Sequence, residues 1–355
     1  MRILFAGGGT LGSVSPLVAV HQALIQQGQP VAALWLGTIK GPERAVVGGQ
    51  GIAFQPIVAP KLRRYLDGRN LVAPFSLIVG VLQARAAMRR FAPQVVATAG
   101  SFVAVPVGIA AWLRRVPLLI HQPDVVPGLA NRLLTPLASW ITVTFAATRA
   151  AFPARQTVMT GNPVRSDIRL AGRGAAHQRF QFSAAVPTVL VLGGGTGAAA
   201  LNQLVLDRLD ALVAVCQIIH VTGRGKMAVV AEHPRYRAFE FLGAELSAAY
   251  ACADLVVSRA GMGVLSELAA LGKPALLVPI PGSRQTANAV EFAKHNAALL
   301  VEQPGLTPAD FAAIIRTTLE DRPLLANLSR NIGSLLPADA ASQVAEVVRR
   351  LAGAG

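Results

Sequence analysis

Residues 254–288 read DLVVSRAGMGVLSELAALGKPALLVPIPGSRQTAN. Leu255–Ser258 is a short apolar run suited to a buried parallel strand. Ala260-Gly261-Met262-Gly263 turns tightly, and Val264–Leu271 has helical spacing that Gly272-Lys273-Pro274 stops. Ala275–Pro279 reads as a second buried strand, and a polar Pro/Gly loop then carries Arg284, Gln285 and Asn288. A strand, a glycine turn and a helix in that order aim backbone N–H groups at an anion, and the helix N-terminus adds about half a unit of positive charge. A phosphate fits there. Glu267, within the first two turns, is placed to accept hydrogen bonds from a ribose diol. An ordinary βαβ unit with Glu267 facing solvent gives the same pattern.

Outside this stretch the chain repeats the scheme. A chain of 355 residues is long for one core, so two domains are expected. A hydrophobic share of 53% and a charged share of 14% exclude disorder. The longest uncharged stretches, 95–113 and 186–206, are broken by Gly, Pro, Thr or Asn and read as strand–turn–helix units rather than membrane spans. Met1–Gly9 passes straight into a strand and a glycine turn, which is not the pattern of a signal peptide. Cys216 and Cys252 form no metal or redox spacing and suit buried thiols in a cytoplasmic chain.

The net charge of +15 is lopsided. Residues 1–165 hold 16 Lys and Arg against 3 Asp and Glu, a balance of +13, which leaves +2 for residues 166–355. One half is therefore expected to meet a polyanion. A phosphorylated substrate or an anionic membrane face fits better than nucleic acid, because no helix-turn-helix, RNP or zinc-finger pattern is present.

In the N-terminal half, Arg2–Ala6 is the first strand, Gly7–Ser13 a glycine turn and Pro16–Gln27 a helix. Val31–Leu36 follows as a strand, and Gly37-Thr38-Ile39-Lys40 lacks the acid that a dinucleotide fold places on a ribose, with Glu43 set in the next helix. That argues against NAD. Lys61, Arg63, Arg64 and Arg69 precede the apolar run 71–82, which includes Phe75, Leu77, Ile78 and Val79, and Arg85, Arg89 and Arg90 follow it. Apolar residues flanked by cations suit an interfacial membrane contact, each cation adding about 1 kcal/mol near an anionic leaflet. A core helix with solvated basic ends reads the same way.

Strands are expected at Val95–Ala99, Val116–His121, Trp140–Thr144 and Thr157–Thr160, with a helix at Val105–Leu113. His121 and Asp124 lie past the carboxyl end of a strand, where open α/β sheets bind ligands. Gly161–Arg165 makes a rigid turn whose Arg165 suits a phosphate. Residues 166–185 read as a polar linker. Thr188–Leu192, the glycine turn Gly193–Gly197 and a helix at Ala198–Ala211 restart the pattern, with strands at Gln217–Thr222 and Phe239–Leu242. The expected organisation is an acceptor and membrane-associating domain over 1–165, a linker over 166–185 and a nucleotide-sugar domain over 186–335. A final helix within 336–355 is expected to pack back toward the first domain.

Four stretches, GGGTLGSVSP (7–16), HQPDVVPGLAN (121–131), GNPVR (161–165) and RAGMGVLSE with RQTAN (259–267 and 284–288), resemble the bacterial MurG family of GlcNAc transferases in order and spacing. The resemblance covers essentially the whole chain. It implies an α/β class of GT-B type, two doubly wound Rossmann-like domains facing across a donor cleft. It also implies inverting transfer of GlcNAc from UDP-GlcNAc to the MurNAc 4-hydroxyl of undecaprenyl-diphospho-MurNAc-pentapeptide. That is the step from lipid I to lipid II in peptidoglycan synthesis, at the cytoplasmic face of the membrane, on a peripheral protein that works with other cell-wall proteins. No Asp-x-Asp pair occurs in the chain, so the leaving diphosphate is expected to rest on backbone N–H groups, helix N-termini and Arg165 without metal or other cofactor.

The resemblance places Arg165, Gly195, Leu242, Met262, Gly263, Val264, Leu265, Ser266, Glu267 and Gln285 at the donor. Glu267 would hold the ribose diol and the Leu242 backbone would lie beside uracil. Thr10, Leu11 and Gly12 fall near the sugar or the acceptor diphosphate, and Asn288 near the sugar. Three positions depart from the family: Ser13 stands where His is common, Asp124 where Asn is frequent and Gly195 where Ser is frequent. The loss of a His and the gain of a carboxylate make Asp124 the candidate general base, with His121 next in line and Ser13 as the altered position. A related enzyme with another lipid acceptor, a UDP-GlcNAc epimerase on the same scaffold and a non-catalytic donor-binding protein are the competing readings.

Overall fold

The computed structural model describes residues 1–28, 30–59, 73–169, 172–193, 198–227, 233–243 and 245–353. It forms two compact units, Met1–Ser166 with Pro337–Gly355, and Asp167–Leu336.

The first unit contains β1 (Arg2–Ala6), α1 (Ser15–Gln26), β2 (Ala32–Gly37), α2 (Glu43–Gly48), β3 (Ala53–Pro56), α3 (Ala73–Phe91), β4 (Val95–Thr98) and α4 (Ala104–Leu113). It continues with β5 (Leu118–Gln122), α5 (Leu129–Leu134), β6 (Trp140–Val143), α6 (Ala146–Arg149) and β7 (Thr157–Met159). The strands form a seven-stranded sheet in the order β3-β2-β1-β4-β5-β6-β7, every pair parallel. The strand order reverses between β1 and β4, which sets the switch point of a doubly wound sheet there.

Both faces of this sheet are covered, which explains why β1 reads as an unbroken apolar run. Ile3 and Phe5 point to one face and pack with Leu17, Leu24 and Trp35. Leu4 and Ala6 point to the other and pack with Met88, Val103 and Val107. Each such large side chain, fully removed from water, contributes about 1.5–3 kcal/mol.

The second unit contains α7 (Arg173–Phe180), β8 (Thr188–Leu192), α8 (Ala199–Leu206), α9 (Leu209–Val215), β9 (Gln217–Val221), β10 (Tyr236–Phe239) and α10 (Glu245–Cys252). Then come β11 (Leu255–Ser258), α11 (Met262–Leu271), β12 (Ala275–Leu277), α12 (Arg284–Lys294), β13 (Leu299–Leu300), α13 (Pro308–Glu320) and α14 (Arg322–Leu335). Its six strands run β10-β9-β8-β11-β12-β13, again all parallel and reversing after the first strand of the unit. The last helix, α15 (Ala340–Leu351), belongs to the first unit. Its Val344, Ala345 and Val348 join the core on the α1 side of the sheet.

Four sequence expectations change. The segment 166–185 is not a bare linker: it holds a 3-10 turn at Ser166–Arg169 and α7, which packs against α10. Arg173–Asp254 (2.7 Å) and Arg179–Glu245 (2.8 Å) tie that polar helix down, and both partners lie far along the chain. The strand expected at Phe239–Leu242 sits at Tyr236–Phe239, an edge strand in register with Ile218–Val221 whose half-exposed residues carry little pattern. The helix expected over 198–211 breaks at Asp207–Arg208 into α8 and α9. β3 and β13, short and at sheet edges, were not expected at all. Among the described residues no helix is long and apolar enough to cross a membrane.

Candidate functional site

In the second unit, β11 delivers Ser258 to the switch point, and Gly261 caps α11 with extended backbone (φ −79, ψ 136). A Cβ added at Gly261 or Gly263 would meet nothing within 4 Å, so the first turn of α11 is open beside its backbone. Three side chains tie this turn and the neighbouring β12–α12 connection together. Asn288, fully buried on α12, donates from Nδ2 to Ala260 O (3.2 Å). The buried Arg259 guanidinium donates to Val278 O (2.8 Å) and Pro279 O (3.3 Å). Its burial lowers its pKa, and the ordinary value is high enough that it stays charged. Gln285 Oε1 accepts from Ile280 N–H (3.3 Å) and holds the β12–α12 loop.

Glu267 lies half-buried one turn further on, and Tyr250 Oη donates to its Oε2 (2.8 Å). Met262, Leu265 and Ser266 are buried, so α11 can offer a ligand the backbone at those positions and the half-exposed Gly263, Val264 and Glu267. Leu242 is 5% exposed just past β10. The third glycine turn, with Gly195, lies outside the described residues, as do Lys61, Arg63, Arg64 and Arg69.

In the first unit, the β1–α1 turn leaves Thr10 and Gly12 exposed, Leu11 half-buried and Ser13 buried, the last donating weakly from Oγ to Thr10 O (3.5 Å). Asp124 is half-buried in the β5–α5 loop, where Gln122 Nε2 holds its carbonyl (2.8 Å). Asn131 Nδ2 in turn holds Gln122 Oε1 (2.7 Å). Ser13 and Asp124 follow β1 and β5, which are separated in the sheet only by β4. Strand spacing therefore puts their two loops about 10 Å apart at the strand axes, on one sheet edge. Arg165 is half-buried in the turn after β7.

His121 is placed otherwise than a base requires. It is 1% exposed, with Nε2 on Asn162 Oδ1 (2.7 Å) and Nδ1 on Thr142 Oγ1 (2.9 Å). Asn162 Oδ1 only accepts, so Nε2 carries the proton and Nδ1 accepts from the Thr142 hydroxyl. Burial pushes its pKa down to about 4 against the pull of the Asn162 bond. Both nitrogens are spent, and His121 joins β5, β6 and the Gly161–Arg165 turn rather than facing a substrate. Asp124 remains the carboxylate of that loop.

On α3, Phe75, Ile78, Val79 and Leu82 are exposed at 70, 57, 43 and 58%. Their i, i+3, i+4, i+7 spacing makes one stripe, and the exposed Arg85 and Arg89 continue its line. Leu77 lies off the stripe and is half-buried.

Glu43, noted from the sequence only as an acid in the helix after β2, has a role that sequence reasoning did not give it. It opens α2, is fully buried, and its carboxylate accepts from Gly9 N–H and Thr38 N–H. The available signal was the spacing of Gly37 and Gly41 around a helix-opening acid. Tyr250, Arg259 and Asn131 were also missed. Among the described residues, no three His, Cys, Asp or Glu side chains gather as metal ligands would.

Comparison with known proteins places these features. Residues 3–143 match the glycosyltransferase family 28 N-terminal domain and residues 188–347 its C-terminal domain. A UDP-N-acetylglucosamine–N-acetylmuramyl-(pentapeptide) pyrophosphoryl-undecaprenol N-acetylglucosamine transferase of Lachnoclostridium phytofermentans is 36% identical over 86% of this chain and 87% of its own. A transferase of the same name from Clostridium botulinum is 34% identical over 92% and 93%. The crystal structure of Acinetobacter baumannii MurG superposes with a TM-score of 0.72 at 29% identity, covering 98% of this chain and 99% of that one. A Neisseria meningitidis UDP-GlcNAc 2-epimerase, at TM-score 0.70 and 13% identity, shares the fold alone. With both halves matched in order and relatives above one-third identity over nearly their whole length, the chain belongs to the MurG family of family 28 glycosyltransferases.

Proposed function

We propose that this chain transfers GlcNAc from UDP-GlcNAc to the MurNAc 4-hydroxyl of undecaprenyl-diphospho-MurNAc-pentapeptide, with inversion. The observation that carries the reading is the likeness, along almost the whole chain, to transferases named for that reaction. The N-terminus of α11 receives the donor diphosphate, because its first turn is open at Gly261 and Gly263. Glu267 takes the ribose diol, held in place by Tyr250. The 4-hydroxyl oxygen attacks the anomeric carbon, the bond from that carbon to the diphosphate oxygen breaks, and UDP leaves with the electron pair. The hydroxyl proton passes to the Asp124 carboxylate.

The α3 stripe holds the protein on the membrane. Phe75, Ile78, Val79 and Leu82 enter the interface while Arg85 and Arg89 meet anionic headgroups. The protein then works peripherally, at the cytoplasmic face where the nucleotide sugar is.

The test is a transfer assay with radiolabelled UDP-GlcNAc and the purified lipid acceptor in detergent, with chelator present. Formation of the disaccharide lipid is expected. Donor binding without transfer to this acceptor would overturn the acceptor assignment, and release of the 2-epimer without acceptor would overturn the reaction class.

A further inference from the structure

The helices over one face of the first sheet leave a groove that the reaction scheme above does not use. α3, α4 and α5 all pack on the core of that face, α3 through Ala84 and Met88, α4 through Val107 and Ala110, and α5 through Leu134. α4 lies between its two neighbours and meets each across a glycine. A Cβ at Gly80 on α3 would stand 3.1 Å from Pro106 Cβ, and one at Gly108 on α4 would stand 2.5 Å from Leu134 Cδ2 on α5. These close approaches set α4 low. Val105, Ile109 and Trp112 share one face of it at i, i+4, i+7 spacing, and the first two are half-buried. On either side, Phe75, Ile78, Val79 and Leu82 of α3 and Leu129 and Leu133 of α5 are exposed. A low helix between two apolar rims makes a groove, about 15 Å long over the 10 residues of α4.

Its two ends differ. At the carboxyl edge of the strands, Val126 and Leu129 are exposed just beyond Asp124. At the opposite edge, Trp112 and Leu113 are exposed and, with Leu137 and Arg115, line an open pocket of about 460 Å³. That is within the range of small-ligand pockets, roughly 300–1,000 Å³. A flat bilayer surface would rest on the rims and leave the floor bare. A flexible hydrocarbon chain can follow the floor, burying Val105, Ile109 and Trp112 together with its own surface. The acceptor carries such a chain, tethered to the sugar whose hydroxyl meets Asp124. Arg114 and Arg115, both exposed at the far end, suit the anionic headgroups of the leaflet that holds the rest of the chain.

We propose that this groove seats the first isoprene units of the acceptor's polyprenyl chain, between the Asp124 loop and the pocket at Trp112. This rests on the reading that a polyprenyl-linked sugar reacts at Asp124.

Chain length isolates the effect. The full-length parent is compared with a variant carrying Trp112→Ser and Leu133→Ser, two exposed side chains in the far half of the groove. Both are assayed in detergent with two acceptors that share one head, the first on an undecaprenyl chain and the second on a short geranyl chain that ends in the near half. Detergent removes the bilayer, and the ratio between acceptors cancels micelle effects common to both proteins. The parent is expected to favour the undecaprenyl acceptor by about tenfold or more in kcat/KM, from the apolar area buried. The variant is expected to lose about tenfold on that acceptor and to stay within about twofold on the geranyl one and in its KM for UDP-GlcNAc. Should the variant fold poorly, Leu133→Glu alone is expected to give the same split. A parent without chain preference, or a variant that loses equally on both acceptors, would overturn the proposal. A variant that keeps the preference but no longer pellets with anionic vesicles would also overturn it, by giving the groove to the bilayer. Transfer to neither acceptor by the parent would mean that the acceptor reading is what fails.

Discussion

The two units share a topology and differ at their switch points. In each, the first strand lies at the reversal of a parallel sheet, beside β4 in one unit and β11 in the other. In the first unit the loops there are filled from within. Glu43 stands behind Gly8 and Gly9, the Phe102 ring lies 2.8 Å from where a Gly9 Cβ would be, and Asn131 lies 3.2 Å from the corresponding point at Gly100. In the second unit the turn after β11 is empty beside Gly261 and Gly263, and Arg259 donates to the Val278 carbonyl past β12. One fold thus presents a turn filled from within and an open one. The open turn is the one proposed above for the nucleotide diphosphate. Residues 1–165 carry nearly all the net positive charge of the chain.

The largest test of this division is Asp124→Asn. If chemistry on the acceptor belongs to the first unit, losing the carboxylate lowers kcat by about 10²–10⁴-fold, the usual contribution of a positioned base. Binding of UDP-GlcNAc, proposed for the second unit, is expected to stay within about twofold by calorimetry. A variant with parent-like turnover would remove Asp124 from the mechanism, and His121 is already engaged on both ring nitrogens.

Acid sensitivity should be common to both units. His220 on β9 is buried like His121, between the Tyr236 hydroxyl (2.9 Å) and Asn202 Oδ1 (3.1 Å), and burial puts its pKa also at about 4. Each histidine is neutral when folded and titrates near 6.5 when unfolded. The unfolded chain therefore binds more protons between pH 6.5 and 4. Stability is full above that window and is lost as pH falls through it. The slope is at most about 1.4 kcal/mol per pH unit for each histidine. Urea unfolding at pH 7 and pH 5 measures it. His121→Gln is expected to flatten the dependence of the first unit and leave that of the second, and an unchanged slope in both would assign the acid sensitivity to other groups.

The exposed apolar stripe of α3, proposed above as the membrane contact, lies in the first unit. Phe75→Ser combined with Ile78→Ser removes two exposed side chains from α3 without touching its buried face. Pelleting with anionic vesicles is expected to fall about tenfold or more, from the apolar area lost. Activity on a detergent-solubilised acceptor should persist. Unchanged pelleting would move the membrane contact elsewhere.

What the sequence could show follows from the range of each signal. β11, the turn at Gly261 and α11 lie within 17 residues, and their apolar runs, glycines and Gly272 stop are local, so their order was legible. Glu43 was not, because its partner Gly9 is 34 residues away and a buried carboxylate carries no periodicity. His121 was visible as a residue past a strand. Its commitment to Thr142 and Asn162, 21 and 41 residues on, was not. α7 hid for the same reason: a polar helix is held by Asp254 and Glu245, 81 and 66 residues distant.

The smallest effect tests how far the first unit departs from an open turn. After β4 the backbone passes through two successive positive φ angles, Gly100 at 89 and Ser101 at 86. The first suits its residue and the second does not. Ser101 also buries its hydroxyl without a hydrogen-bond partner, so its side chain returns nothing for the strain. A non-glycine residue in that region costs about 1–3 kcal/mol, and the extra freedom glycine gives the unfolded chain takes back about 0.4–1. Ser101→Gly is therefore expected to stabilise the first unit by about 1 kcal/mol, read as a higher urea midpoint at constant slope. A loss of stability would show that the Ser101 side chain has a partner in solution. A loss of acceptor turnover at full stability would show that this partner is the substrate, and would place the turn after β4 at the acceptor.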